Sequence, residues 1–368
     1  MKVAIMGAGL SGLACAITLE QHGIEPAIFE KRSRVGDRFV NAEVLLSLMT
    51  RPVHDCIAYL SEKHRIYLQP TANLQKMTVY SSGEKAILEG QLGFTNVRGR
   101  ESDAFEVQLS RQVKSPIRFH SEETYEDLLG HYTHVVMATG DGDYAKRTRN
   151  FREDLTVSLR GATVEGTFDR YAVSVWLDNE LAPSGYGFCI PFSEKEATIV
   201  IAFPDDPAKE EQPDSGLLWD RFCERTTRDL QQTLHVTDTF QFTRYPIGIC
   251  RSARIGNTFF TGNCFGSLMP YLGFGQFAAI LTGIYAAYDL TGQGSYEELT
   301  APLRQSYENS LVLRRTVEHL RNADLDRIVR VLGGGLGGRL MQNKQLNPLQ
   351  IASYLLRPYV KWKQGVTS

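Results

Sequence analysis

The run Gly7-Ala8-Gly9-Leu10-Ser11-Gly12 stands between an apolar, strand-like segment, Lys2–Met6, and a segment with apolar residues at helical spacing, Leu10–Gln21. In a strand–turn–helix of this kind the first glycine permits the tight bend. The second lets backbone approach a pyrophosphate, and the third lets helix and strand pack closely. The helix then opens with free N–H groups and the positive end of its dipole, a site suited to phosphate. Gly23 fits the helix end. Ala27–Phe29 reads as a second strand, and Glu30 closes it about twenty residues after the glycines, where a carboxylate accepts ribose hydroxyls. The unit is a βαβ with a parallel sheet. NAD and FAD both satisfy it. The following Glu30-Lys31-Arg32 and Gly36-Asp37-Arg38 favour FAD, because Lys31 and Arg38 would lie on the pyrophosphate side.

Composition narrows the class. At ~150 residues per domain, 368 residues allow two or three domains, and a net charge of -2 argues against a polybasic nucleic-acid binder. Six cysteines lie far apart without a CxxC pair or a Cys/His cluster, which predicts neither a disulfide framework nor a zinc site and fits a reducing, cytoplasmic compartment. The start, MKVAIMGAG, reads as neither a signal peptide nor a membrane anchor. Ile255–Tyr288 carries no charge and is long enough to cross a bilayer. Its Gly256, Gly262, Gly266, Pro270, Gly273 and Gly275 predict instead glycine-rich backbone with something large packed against it.

Short β-rich runs at Arg65–Leu88 and again over Leu155–Phe203 predict two antiparallel excursions from the α/β unit. Helices are expected at Asp103–Arg111, Leu217–Leu230, Gly275–Leu290 and from Tyr296 onward, with strands at His134–Ala138 and Thr258–Thr261. This gives a discontinuous dinucleotide-binding domain (1–60, 96–150 and 250–300), a substrate-binding β-sheet domain (61–95 and 151–249) and a C-terminal helical region (301–368).

Thr261-Gly262-Asn263-Cys264-Phe265-Gly266, followed by Pro270-Tyr271-Leu272-Gly273-Phe274-Gly275, resembles the geranylgeranyl reductase family of FAD-dependent oxidoreductases, within the hydroxylase-like flavoproteins. That family carries a strand ending in GD, a small-residue loop and PxxGxG leading into a helix; here Asn263 replaces the aspartate that binds the ribityl chain. Met137-Ala138-Thr139-Gly140-Asp141 resembles the family's ATG strand end, and Phe105–Leu109 its FDxxL helix, with the preceding arginine displaced to Arg98 or Arg100. The resemblance implies an α/β fold. It would have a Rossmann-type FAD/NAD(P)-binding domain of the para-hydroxybenzoate hydroxylase or glutathione reductase kind, an antiparallel β-sheet substrate domain and C-terminal helices. FAD would be held by Gly7, Gly9, Leu10, Ser11, Gly12, Glu30, Lys31, Arg38, Gly140, Gly262, Asn263, Gly273, Phe274 and Gly275.

Tyr186-Gly187-Phe188-Cys189-Ile190-Pro191 resembles the reductases' YxWxFP, which lines an isoprenoid tunnel above the flavin. Tyr186, Phe188, Ile190 and Pro191 are the implied substrate contacts. Aromatic and branched side chains there suit an apolar substrate and exclude water. The expected reaction is reduction of carbon–carbon double bonds in an isoprenoid (geranylgeranyl) lipid or quinone side chain. Hydride would come from reduced flavin N5, with water or Tyr186 as proton source and NAD(P)H or another carrier as electron donor. Two alternatives stay open. One is an FAD monooxygenase acting on an aromatic or apolar substrate, whose DG motif is only partly matched by Asp141-Gly142 through Arg147. The other is a non-catalytic or electron-relay flavoprotein, which Asn263 keeps alive. Flavin-dependent halogenases carry a related WxWxIP, of which only Ile190-Pro191 remains. Gly333–Gly338 reads as a linker between helices. Ile351–Lys363 reads as a basic amphipathic end whose helix Pro358 breaks, packed on the core or in peripheral contact with the inner face of a membrane.

Overall fold

A computed structural model describes residues 1–140, 142–205, 213–334 and 347–363, except the side chains of 143, 348 and 358–363. The first half runs β1 (Val3–Met6), α1 (Leu10–Gln21), β2 (Ala27–Phe29), β3 (Asn41–Leu46), α2 (Cys56–His64), β4 (Ala72–Tyr80), β5 (Lys85–Arg98), α3 (Phe105–Ser110), β6 (Ile117–Arg118), α4 (Tyr125–His131), β7 (His134–Met137) and α5 (Asp143–Arg147). The second half continues through β8 (Phe151–Glu165), β9 (Ala172–Trp176), β10 (Tyr186–Pro191), β11 (Glu196–Pro204), α6 (Ser215–Leu230), β12 (His235–Cys250), β13 (Arg254–Ile255) and β14 (Thr258–Phe260). The remaining helices are α7 (Gln276–Leu290), α8 (Tyr296–Val317), α9 (Asn322–Gly333) and α10 (Pro348–Lys363).

The first sheet has the order β13-β14-β7-β1-β2-β6, with β14, β7, β1, β2 and β6 mutually parallel. Helix α1 is buried from Leu10 to Leu19 rather than along one stripe, because it lies between this sheet and α7. Only glycine fits at its contacts. A Cβ on Gly12 would stand 2.0 Å from the Gly7 carbonyl oxygen, and one on Gly283 of α7 2.0 Å from that of Ser11. The charge-free stretch expected to meet something large thus supplies β14 and α7, both in the main core.

The second sheet has the order β12-β8-β11-β10-β9-β4-β5-β3. Its pairs are antiparallel except β4 with β9, which run parallel because that pair joins the two excursions across their long connection. One face is covered by α6: Trp176, Cys189, Ile199 and Ile201 pack with Leu218, Trp219 and Phe222. The other face carries Leu74, Val173, Phe188 and Ile190 against Ala42, Val44 and Phe274.

Several sequence expectations are corrected. Asn41–Leu46 and Asn96–Arg98, placed in the first domain by sequence, belong to the second sheet, where Asn41–Leu46 pairs antiparallel with Gly93–Arg98. Leu60, Ile66 and Leu68 belong with the core of the first sheet, so the boundary at residue 60 cuts α2. Arg65–Pro70 is not a strand, whereas β12 is a 16-residue strand paired along β8, a partner too distant in sequence to leave a local sign. Helix α10 continues through Pro358. The glycine run beyond Gly334 lies outside the described residues.

This packing sets the expected effect of three substitutions on stability. Gly283→Ala should destabilise the chain by about 1–3 kcal/mol in denaturant unfolding. Gly130→Ala in α4, where nothing lies within 4 Å of the added carbon, should stabilise it by about 0.5–1 kcal/mol. At the α2–α7 contact, His64 Nδ1 lies 2.8 Å from the Tyr288 hydroxyl, and burial pushes its imidazole down to about 4. The unfolded imidazole therefore takes up its proton first. Stability should fall by about 1 kcal/mol per pH unit as pH drops from about 6 to about 5, and His64→Gln should flatten that slope.

Candidate functional site

The carboxyl ends of β1, β7 and β14 lie side by side and continue into Gly7–Gly9, Ala138–Gly140 and Thr261–Asn263. Ligands of open α/β sheets bind outside such strand ends. The three turns are bonded to their surroundings. Thr261 Oγ1 donates to the Met137 carbonyl (3.0 Å) and Gly262 N–H to Thr282 Oγ1 (2.8 Å). Gly7 has φ +113°, and a Cβ there would meet the Ala138 carbonyl oxygen at 2.3 Å.

Two glycines behave differently. Nothing lies within 4 Å of a Cβ built on Gly9 or on Gly140. Gly9 is also the N-cap of α1 and offers no capping side chain, so the unpaired N–H groups of the first helical turn border open space. That cradle fits a pyrophosphate, with the helix dipole favouring its charge. Leu10 and Ser11 have buried side chains and reach such a group only through backbone.

Glu30 sits at the end of β2. Its Oε2 accepts from Ala8 N–H (2.8 Å) and its Oε1 from Arg32 N–H (2.9 Å), which fixes the carboxylate while leaving lone pairs for hydroxyl donors. Lys31 is exposed. The Arg38 guanidinium lies over the Phe39 ring, 4.7 Å from its centroid. Its Nε is buried without a partner, and burial, aided by the nearby Arg98 charge, depresses its pKa. An anion beside it would relieve that cost.

Asn263 is held within the protein. Its Nδ2 donates to the Gly140 carbonyl (3.1 Å) and to the Tyr245 hydroxyl (3.0 Å), and its Oδ1 accepts from Ser267 Oγ (3.1 Å). It therefore ties two of the three turns together. Beyond it, Gly273 has φ +66°, and Gly275 is the N-cap of α7 without a capping side chain. At α7's first residue, Gln276 Nε2 donates to Glu43 Oε2, which also lies 3.6 Å from Arg98 Nη1. Arg98 Nε in turn bonds Glu106 Oε1 at 2.7 Å. Sequence reasoning missed Glu43 and Gln276, since nothing in their spacing links β3 to α7. The displaced arginine of the FDxxL match is thus accounted for: Arg98 bonds that helix, while Arg100 pairs with Asp238 of β12.

Strand β10 alternates as a sheet between two layers must. Gly187 and Cys189 face α6, where a Cβ on Gly187 would meet Phe222 at 2.4 Å. Tyr186, Phe188 and Ile190 face the opposite way. The Tyr186 hydroxyl donates to the Leu272 carbonyl (2.5 Å). Phe188 gathers with Phe274, Leu46, Met77, Leu92 and Phe192 as partly buried side chains on that face. Burial pushes the Tyr186 phenol up, opposed by the nearby Arg314 charge. Pro191 ends the strand, buried. Cys264 is buried beside Thr139 Oγ1 at 3.2 Å. Asp141 lies outside the described residues.

A family model for an NAD(P)-binding Rossmann-like domain matches residues 5–62. No curated protein matches the sequence. Among solved structures, a geranylgeranyl bacteriochlorophyll reductase-like protein from Thermoplasma acidophilum superposes with a TM-score of 0.72 at 14% identity, covering 100% of this chain and 99% of that one. A flavin-dependent brominase gives 0.69 at 13% identity over 100% and 99% of the two chains. Aklavinone-11 hydroxylase, in a complex with FAD and aklavinone, gives 0.59 at 14% identity over 89% and 70%. The chain shares the fold of these solved structures. Its glycine cradle and Glu30 follow the adjacent strands β1 and β2 of one parallel sheet.

The cradle makes opposed demands on Gly9. Gly9→Asp adds a good helix cap into open space, so melting temperature should hold or rise. The added charge faces the phosphate position, and FAD affinity, read by quenching of flavin fluorescence, should fall about tenfold or more.

Proposed function

We propose that this chain binds FAD across the ends of β1, β7 and β14 and reduces carbon–carbon double bonds of an isoprenoid lipid or quinone side chain. The observation that carries this reading is the alternation of β10, with Tyr186, Phe188 and Ile190 on the face that meets Leu272 and Phe274. That face is apolar and lies against the glycine loop leading into α7. Such a surface suits a hydrocarbon chain and limits the access of bulk water without excluding a single molecule.

The chain's own residues divide the work. Gly7, Gly9 and the backbone of Leu10, Ser11 and Gly12 would take the pyrophosphate, with Arg38 and the exposed Lys31 as flanking cations. Glu30 would take the ribose hydroxyls. Gly140, Gly262 and Asn263 would follow the ribityl chain, and Gly273, Phe274 and Gly275 would lie along the ring. The uncapped N-terminus of α7 would favour negative charge at the ring's edge. FAD bound there supplies hydride transfer, and NAD(P)H or another carrier reduces it. Tyr186 holds its proton at Oη toward Leu272, and burial makes the phenol a poor acid. Its part is to fix the loop, which leaves water as the proton source.

The test is mass spectrometry of products formed by reduced, FAD-loaded protein from a geranylgeranyl lipid and, separately, from a menaquinone, each with and without oxygen. The proposal expects gains of two hydrogens that persist without oxygen. A gain of one oxygen atom, seen only in air, would replace it with a monooxygenase. An unchanged substrate with a flavin spectrum present would leave an electron-relay protein.

A further inference from the structure

Helix α10 lies on α8, and its two faces differ in kind. Ser353 is fully buried, and Arg357 Nη2 donates to Asn309 Oδ1 of α8 at 2.5 Å. On the other side Ile351, Tyr354 and Leu355 are 44%, 49% and 75% exposed. Their spacing of three and four residues sets them on one stripe of the helix, and no described element covers them. From 347 to 363 the sequence carries no carboxylate, and besides Arg357, which is engaged with α8, it carries Lys361 and Lys363. Exposed apolar residues in a stripe, on a segment of wholly cationic charge, suit one kind of partner. Apolar side chains enter the boundary between headgroups and acyl chains while cations meet anionic headgroups. No helix among the described residues is long and apolar enough to cross a membrane, so contact of this kind would be at the surface.

We propose that the outward face of α10 docks the chain on an anionic lipid surface, with Ile351, Tyr354 and Leu355 as the inserted residues. This docking is independent of which reaction the proposed FAD site performs. It places the protein at a membrane whether the substrate is a lipid, a quinone or neither.

The test is flotation of the full chain with vesicles of phosphatidylcholine mixed with phosphatidylglycerol, and with vesicles of phosphatidylcholine alone. Wild-type protein should float with the mixed vesicles and bind the neutral ones more weakly, by about fivefold for each cation engaged. Leu355→Glu and Ile351→Glu should each weaken binding about tenfold or more, with far-ultraviolet circular dichroism and thermal unfolding unchanged. These positions are solvent-facing, so the charge does not enter the core. Wild-type protein that stays with the soluble fraction, or Leu355→Glu binding as tightly as wild type, would overturn the proposal. So would a wild-type dimer, insensitive to vesicles, that Leu355→Glu converts to monomer, since a second copy would then be the occupant.

Discussion

The contact on which the rest of the molecule depends is the approach of α1 to the turn before it and to α7. Gly12 lets the helix close on the Gly7 carbonyl, and Gly283 lets α7 close on Ser11. A methyl group at either position would collide with backbone, which has no rotamer to relieve the clash. Because both glycines are bare, α1 is buried between sheet and helix, and its N-terminus opens at the ends of β1 and β7. The same packing brings Gly262, whose N–H bonds Thr282 of α7, beside Ser11. Two segments far apart in sequence are thereby held side by side at the strand ends.

The second sheet contributes through its alternation. Its α6 side is a conventional core of Trp176, Cys189 and Phe222, with Gly187 making room for the ring. The other side presents aromatic and aliphatic side chains to the 270–275 loop. Glu43, Gln276 and Arg98 cross the boundary between the layers, so β3, β5 and the start of α7 share one charged and hydrogen-bonded cluster. A nearly buried Arg98 flanked by Glu43 and Glu106 is tolerated because both carboxylates compensate it.

What the sequence made legible was local. The β1–α1–β2 unit and Glu30 were readable because turn glycines, helical spacing and the acid all fall within thirty residues. Helix α7 and strand β10 were also found, since glycine punctuation and aromatic alternation mark them directly. The membership of β3 in the second sheet was not, because its partner β5 lies some fifty residues on and Asn41–Leu46 is too short for its pattern to decide. Neither was the persistence of α10 through Pro358, where packing on α8 outweighs a local breaker. Asn263 shows a third case. Its type was readable as a polar replacement, but its bonds to Gly140 and Tyr245 depend on two distant turns and strand β12 meeting.

The central claim is that the two distant glycine segments form one FAD site. Hydrogen–deuterium exchange of the full chain, with and without FAD, addresses it most directly. FAD should protect Gly9–Gly12 together with Gly140, Gly262–Asn263 and Gly273–Gln276. Protection confined to the first βαβ unit, leaving 262–276 unchanged, would contradict a shared site and reduce the glycine motif to a mononucleotide cradle.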